Sequence, residues 1–159
     1  MPRRFLPTIA ILVTMLLMGA LSVAPVAAQS DSATVVYRLA VSGDEEVCAP
    51  ADPPRCGGEG TGEAIVIVNP STDTVCFLAR WRDVEGMVVA AHIHEAPDGV
   101  QGGVVVPLLG GVQLEGEDKA RGCVSGQGLT DEINETPSDY YINFHSTVFP
   151  DGALRAQLG

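Results

Sequence analysis

Residues 63–84 read EAIVIVNPSTDTVCFLARWRDV and hold the clearest strand pattern in the sequence. Both of its ends are rich in Val, Ile, Phe and Thr, residue types that favour strands. The middle of the stretch, NPSTD at 69–73, holds the residue types of a tight turn. The stretch therefore predicts an antiparallel hairpin of two strands, 63–68 and 74–84.

Outside this hairpin, short strand-forming segments recur at roughly 8–12-residue spacing, separated by turns that contain Gly and Pro. We expect these further strands at 34–42, 88–95, 103–108, 120–125, 139–146 and 153–158. Residues 129–135 suit a helical turn. Short strands in this number predict an all-β domain, either a sandwich or a barrel.

The composition limits the classes of partner that this protein is expected to bind. The chain has 159 residues and a formal net charge of −11, with a pI near 4.4. This length suits a single domain. Nucleic-acid binding is not expected, because a phosphate backbone requires clustered Lys and Arg, and anionic membrane surfaces are disfavoured for the same reason.

The first 28 residues predict a secretory signal peptide. A basic start precedes an uncharged apolar run over 5–24, and Val26 and Ala28 place small residues at a cleavage site before Gln29. An uncleaved anchor is the alternative, since the run approaches the ~20 residues that span a bilayer. We expect cleavage, which leaves a secreted or periplasmic domain, 29–159, with a net charge of −13 once the two basic residues are removed.

All four cysteines lie in the exported part of the chain. An even number of cysteines in an exported protein is typical of disulfides, and four allow three pairings. We expect Cys48–Cys56, which closes a loop rich in Pro and Gly, and Cys76–Cys123, which joins distant segments. Zinc binding is the alternative, but the sequence has no C-x-x-C pair.

Six short motifs follow one another along the exported part. They read SGDEEV at 42–47, GTGEA at 60–64, AHIHEAP at 91–97, GGVVVPL at 102–108, YINFHS at 141–146 and FPDGALRAQL at 149–158. In this order they resemble the CHRD domain, which is found in chordin and in many exported microbial proteins. Two positions depart from the family pattern, because Glu95 and Ala156 stand where the family usually has Gly.

The resemblance implies a single antiparallel β-sandwich, immunoglobulin-like or related, which the two disulfides would stabilise. It also implies an exported binding or structural module rather than an enzyme. We expect its partner to be a protein, a glycan or a surface component, with no membrane association after cleavage of the signal peptide. The growth-factor binding of chordin is not carried over, because this sequence lacks the cysteine-rich modules that accompany the domain there.

The three histidines all fall within these motifs. His92 and His94 are two apart on a predicted strand, so their side chains project from the same face. On a later strand, His145 shares a face with Tyr141 and Asn143. If the strands meet, we expect the imidazoles of His92 and His145 within about 8 Å of each other, in a three-nitrogen site suited to copper or zinc.

Other roles for these histidines stay open. They can instead hydrogen-bond to the backbone, to Asn143 or to Tyr141, and a catalytic role is the least favoured. The His-x-His strand also resembles the copper strand of copper/zinc superoxide dismutase, a Greek-key sandwich, but the further ligands of a bimetal site have no counterparts here. We find no catalytic triad and no phosphate-binding loop, so the sequence predicts no enzyme. The alternative function is a small metal-binding protein, with possible redox activity.

Several other charged or aromatic residues receive simple structural predictions. The acidic segments 44–46 and 115–118 are expected to be solvated loops rather than Ca²⁺ sites. Asp98 precedes a glycine and suits a turn better than a ligand role. We expect Arg155 to pair with an acid or to donate to backbone carbonyls, and Trp81 to lie in the core.

Overall fold

The computed structural model describes residues 33–50, 54–109 and 118–159, and within these ranges it contains eight strands and one α-helix. The strands are β1 (Val35–Ser42), β2 (Thr61–Asn69), β3 (Thr74–Arg82), β4 (Val88–Glu95), β5 (Gly103–Leu109), β6 (Lys119–Ser125), β7 (Tyr140–Ser146) and β8 (Leu154–Gln157). The helix α1 covers Thr130–Glu135. All eight predicted strands and the helical turn are confirmed. The predicted signal peptide and most of the acidic segment 115–118 lie outside the described residues.

The hairpin predicted at 63–84 is formed by β2 and β3, which pair along their whole length. Its turn ends at Asp73, whose φ of 45° lies in the left-handed region. The Asp73 carboxylate accepts hydrogen bonds from Ser125 Oγ at 3.1 Å and from the backbone N–H of Gly128 at 3.0 Å. These bonds tie the hairpin turn to the segment that leads into α1.

The eight strands form one sheet in the order β5-β4-β7-β8-β1-β2-β3-β6. Its two four-stranded halves are joined between β8 and β1 at a single pair of residues, Ser42 and Arg155. The edge strands β5 and β6 also approach each other, so the sheet curls into a nearly closed, barrel-like form. The antiparallel all-β class is confirmed. The expected separation into two sheets is not seen, because β8 pairs with both β7 and β1 and carries the sheet around the corner.

The hydrophobic core fills the inside of this curled sheet. Trp81 on β3 lies in the core as predicted, at 8% exposure, and its ring is 5.7 Å from that of Phe144 on β7. This contact packs one half of the sheet against the other. Ile93 and Ile142 are fully buried between the same halves. The inward positions of β4 and β7 are therefore apolar, which leaves the intervening positions for the opposite face of the sheet.

Both predicted disulfides are present. Cys48–Cys56 closes the loop after β1, with a Cα–Cα distance of 5.6 Å. Cys76 and Cys123 are register partners on β3 and β6, and their Cα atoms are 4.0 Å apart. Among the residues that the structure describes, no helix is both long and apolar enough to cross a bilayer.

Candidate metal centre

The outward positions of β4, β7 and β8 form an unusually polar face of the sheet. One row across these strands consists of His92, Asn143 and Arg155, which are register partners. In the neighbouring row, His94 on β4 pairs with Tyr141 on β7. His145 follows Asn143 on the same face of β7. Strand periodicity places each histidine on this face, as predicted from their spacing, and the pairing of β4 with β7 brings all three together.

The loop after β1 covers part of this face. Its Glu46 carboxylate accepts a hydrogen bond from Asn143 Nδ2, which lies 2.8 Å from Oε1 and 3.0 Å from Oε2. The loop is fixed near its other end because Gly57 N–H donates to Gly152 O at 2.9 Å. Gly152 has a φ of 143°, and a Cβ at this position would collide with the Glu46 carboxylate. A glycine is therefore required beside Glu46.

The three imidazoles form a compact cluster. One ring nitrogen from each of His92, His94 and His145 lies within 4.8 Å of the others. The shortest separation is 3.1 Å, between His92 Nδ1 and His145 Nε2. The prediction that the imidazoles of His92 and His145 lie within about 8 Å is confirmed. Across the described ranges, no other group of three or more His, Cys, Asp or Glu side chains is arranged to hold a metal ion.

Backbone carbonyls orient two of these imidazoles. His94 Nδ1 lies 3.0 Å from Gly102 O, and His145 Nδ1 lies 3.1 Å from Pro150 O. A carbonyl oxygen only accepts hydrogen bonds, so both Nδ1 atoms carry the proton and both Nε2 atoms hold a lone pair in the neutral ring. Histidines that bind metals are commonly oriented in this way, with the second ring nitrogen donating to a carbonyl.

Two buried acceptor atoms at this site are left unsatisfied. His94 is 7% exposed, and its Nε2 has no hydrogen-bond partner in the part of the chain that the structure describes. Asn143 is 3% exposed, and its Oδ1 is likewise without a partner among those residues. A buried polar atom without a partner costs about 1–3 kcal/mol, and such atoms are rare in folded proteins. Both atoms belong to side chains of the same polar face, His94 on β4 and Asn143 on β7.

A stack of three side chains supports His94 from behind. The Tyr141 ring lies parallel to the His94 ring, with centroids 4.9 Å apart, and the Arg155 guanidinium lies 3.6 Å from the Tyr141 centroid. Arg155 also donates to Val100 O at 2.9 Å. The Tyr141 hydroxyl accepts from Gly102 N–H at 3.0 Å. The stack therefore fixes the β4–β5 loop, whose Gly102 carbonyl orients His94. The prediction that Arg155 donates to backbone carbonyls is confirmed.

The electrostatics of the site keep its histidines neutral. Burial lowers the pKa of His92 to about 4, with smaller contributions from the charges of His145 and His94. Burial is also the largest cause of the lowered pKa of His94 and of His145. Neutral imidazoles keep their lone pairs, which is the form that binds a metal ion.

A cleft of about 350 Å³ opens beside the cluster, lined by Glu46, Asn143, His94 and His145 among others. Burial raises the pKa of Glu46 to about 7, although the Asn143 hydrogen bond and the charge of Arg155 both lower it. The carboxyl group therefore exchanges a proton close to neutral pH. The site thus combines three imidazole rings with a carboxyl group that titrates near neutral pH.

One expectation about a neighbouring residue is wrong. Glu46 is not part of a solvated loop, because it folds onto the sheet and accepts a hydrogen bond from Asn143. The expected hydrogen bonds of the histidines to the backbone are present at His94 and His145, whereas the Asn143 amide nitrogen donates to Glu46. Glu95 and Asp98 are both exposed and lie outside the histidine cluster. Nothing in the local sequence around Glu46 distinguishes it from its acidic neighbours Asp44 and Glu45.

Comparison with known proteins adds one finding. A family model described as the CHRD domain matches residues 37–158, which include the histidine cluster, Glu46 and all four cysteines. No curated protein and no solved structure matches the chain.

Proposed function

The chain belongs to the CHRD domain family, and from this premise we propose that it is an exported module that binds one transition-metal ion. The ion would be copper or zinc, held by His92, His94 and His145. Membership of the family suggests an exported module, and two disulfides fit an oxidising compartment. The observation that most directly supports a metal ion is the buried lone pair of His94 Nε2, which has no hydrogen-bond partner among the described residues.

The donor set suits this class of metal. Imidazole nitrogens are good ligands for copper and zinc, and three of them leave one position open. Two nitrogens that bind one ion at about 2.0–2.1 Å in tetrahedral geometry are about 3.3 Å apart. His92 Nδ1 and His145 Nε2 are already 3.1 Å apart, and His92 Nδ1–H donates to the Nε2 lone pair, so a metal ion would replace this proton. One ligand atom from each of the three histidines lies within 4.8 Å of the others, so small side-chain rotations would bring all three to one ion.

Catalytic activity is not part of this proposal. A binding or structural role toward a protein, a glycan or a surface component stays a prediction. One observation in its favour is the outer face of the other half of the sheet, where Leu78 is 49% exposed. Leu78 lies in a row across four strands with Ile65 and with an arginine at each end, Arg38 and Arg121.

Metal analysis tests the metal centre directly. The exported protein is stripped with a chelator, titrated with Cu(II) or Zn(II) and assayed for bound metal after dialysis. We expect one equivalent in the wild type and at least a tenfold weaker affinity in His94→Gln and His145→Gln, which lose a ligand nitrogen. Glu95→Gln is the matched control, because Glu95 adjoins His94 but is exposed, and it should bind as the wild type does.

Two outcomes would contradict the metal centre. One is a wild-type protein that takes up no stoichiometric copper or zinc. The other is unchanged affinity in both histidine variants, which would assign the metal to a different place. Circular dichroism of each variant accompanies the titration, so that loss of the fold is separated from loss of a ligand.

A further inference from the structure

Resting on the proposed metal centre, we propose that its fourth ligand is an exchangeable oxygen ligand that carries a proton, such as water or hydroperoxide. This ligand would enter from the cleft beside the cluster, and Asn143 Oδ1 would accept a hydrogen bond from it. The centre would therefore admit small oxygen ligands that carry a proton. Asn143 would be a positioning residue, separate from the three histidine ligands.

The placement of Asn143 supports this role. Asn143 lies directly opposite His92 in the register of β4 and β7, and it is two residues from His145 on the same face of β7. Its side chain therefore adjoins two of the proposed ligands. It also lines the cleft together with His94 and His145.

The orientation of the Asn143 amide is fixed by Glu46. The carboxylate oxygens accept from Asn143 Nδ2 at 2.8 and 3.0 Å, so the amide nitrogen is committed to this side. The amide oxygen must then point elsewhere, and it is buried without a donor among the described residues. Glu46 thereby positions Asn143, in the same way that Gly102 O positions His94.

The two unsatisfied atoms need different partners. The lone pair of His94 Nε2 can coordinate a metal ion, whereas Asn143 Oδ1 needs a hydrogen-bond donor if it does not itself bind the metal. An oxygen ligand with a proton satisfies both the open coordination position and this acceptor at once. A ligand without a proton, such as azide, can fill the coordination position but cannot donate to Asn143.

This difference gives a test with the copper-loaded protein and sodium azide. Azide is titrated into the Cu(II) protein while the visible absorption and electron paramagnetic resonance spectra are recorded. We expect a saturable change in the wild type, as azide displaces the oxygen ligand. In Asn143→Leu the azide affinity should rise about fivefold, because the displaced ligand has lost one hydrogen bond.

A matched control variant is Asn69→Leu. Asn69 Oδ1 is also buried without a partner in the described part of the chain, but it lies at the end of β2 in the other half of the sheet. The azide affinity of the copper-loaded Asn69→Leu protein should equal that of the wild type. A rise in both variants would show an effect of the fold rather than of the ligand, and it would overturn the role of Asn143.

A second measurement needs no variant. Electron–nuclear double resonance of the wild-type Cu(II) protein in H₂O and in D₂O should reveal a strongly coupled proton that exchanges. Its absence, or the absence of any response to azide in a protein that binds copper, would overturn this inference and leave the metal centre standing. That outcome would indicate a closed site, with Asn143 Oδ1 itself on the metal. Failure to bind copper at all would instead overturn the proposed function.

Discussion

Glu46 and Asn143 are 97 positions apart in sequence, yet the Asn143 amide donates to both carboxylate oxygens of Glu46. Glu46 follows the end of β1 by four residues and lies half-buried against the polar face of the sheet. Burial disfavours the charged carboxylate more than the Asn143 hydrogen bond and the Arg155 charge favour it, so the pKa rises to about 7. The fold therefore holds a carboxyl group that is ionised at some cost in stability above neutral pH.

The first prediction is a pH-dependent gain in stability for Glu46→Gln. The pKa of Glu46 is raised from 4.5 to about 7, so its contribution to stability is complete at low pH and is lost as the pH rises through 7. Gln keeps the size and an acceptor for Asn143 but cannot ionise. The free energy of unfolding of Glu46→Gln relative to wild type should therefore increase by about 1–3 kcal/mol between about pH 5 and 8.

Urea unfolding of both metal-free proteins at several pH values measures this difference. The histidine contributions are common to both proteins and cancel in the comparison. Glu45→Gln is the matched control, since it makes the same substitution at the exposed neighbour of Glu46, which has no hydrogen bond to Asn143. A flat difference for Glu46→Gln would mean that Glu46 is ionised without cost.

The second prediction concerns the buried cation. Arg155 is 2% exposed, stacks on Tyr141 and donates to two backbone carbonyls of the β4–β5 loop. Lysine has no planar group to stack and cannot reach both carbonyls, so Arg155→Lys should lower the free energy of unfolding by about 2 kcal/mol or more. Urea unfolding measures the loss. The exposed Arg121→Lys on β6 should change stability by less than about 0.5 kcal/mol, and equal losses in the two variants would contradict the role of Arg155.

The third prediction concerns the amino terminus, which lies outside the described residues. Val26 and Ala28 place small side chains at the positions that a signal peptidase reads. We expect the exported protein to begin at or near Gln29. Intact mass spectrometry of the protein recovered from the periplasm or the medium checks this, and a product that retains residues 5–24 would refute it.

Much of this molecule follows from local sequence patterns. The bounds of β4, Val88–Glu95, are those predicted. Successive side chains of a strand point to opposite faces, so the sequence also places His92 and His94 on the same face. The cluster with His145 is harder to predict, because it depends on the pairing of β4 with β7, which the spacing of the histidines does not determine.

Two features could not be predicted in this way, because both depend on contacts between distant parts of the chain. Glu46 is the same residue type as its neighbour Glu45, and only the course of the loop decides that Glu46 is half-buried and Glu45 exposed. The continuity of the sheet depends on the pairing of Ser42 with Arg155 at one corner. Periodicity predicts which face of a strand is buried, but it does not say whether a short strand pairs with one neighbour or with two.

The last prediction compares the two disulfides. Cys76–Cys123 spans 47 positions and Cys48–Cys56 spans 8, so the longer crosslink removes more conformational freedom from the unfolded chain. Loop entropy alone gives the longer crosslink an advantage of about 1.5 kcal/mol. The double variant Cys76→Ala/Cys123→Ala should therefore lose more stability in urea than Cys48→Ala/Cys56→Ala. The shorter disulfide lies in the loop that carries Glu46 onto Asn143, beside His92 and His145, so its removal should weaken metal binding more than removal of the longer one. Equal losses of stability would contradict the entropic argument, and an unchanged metal affinity in both variants would show that the loop holds its place without the crosslink.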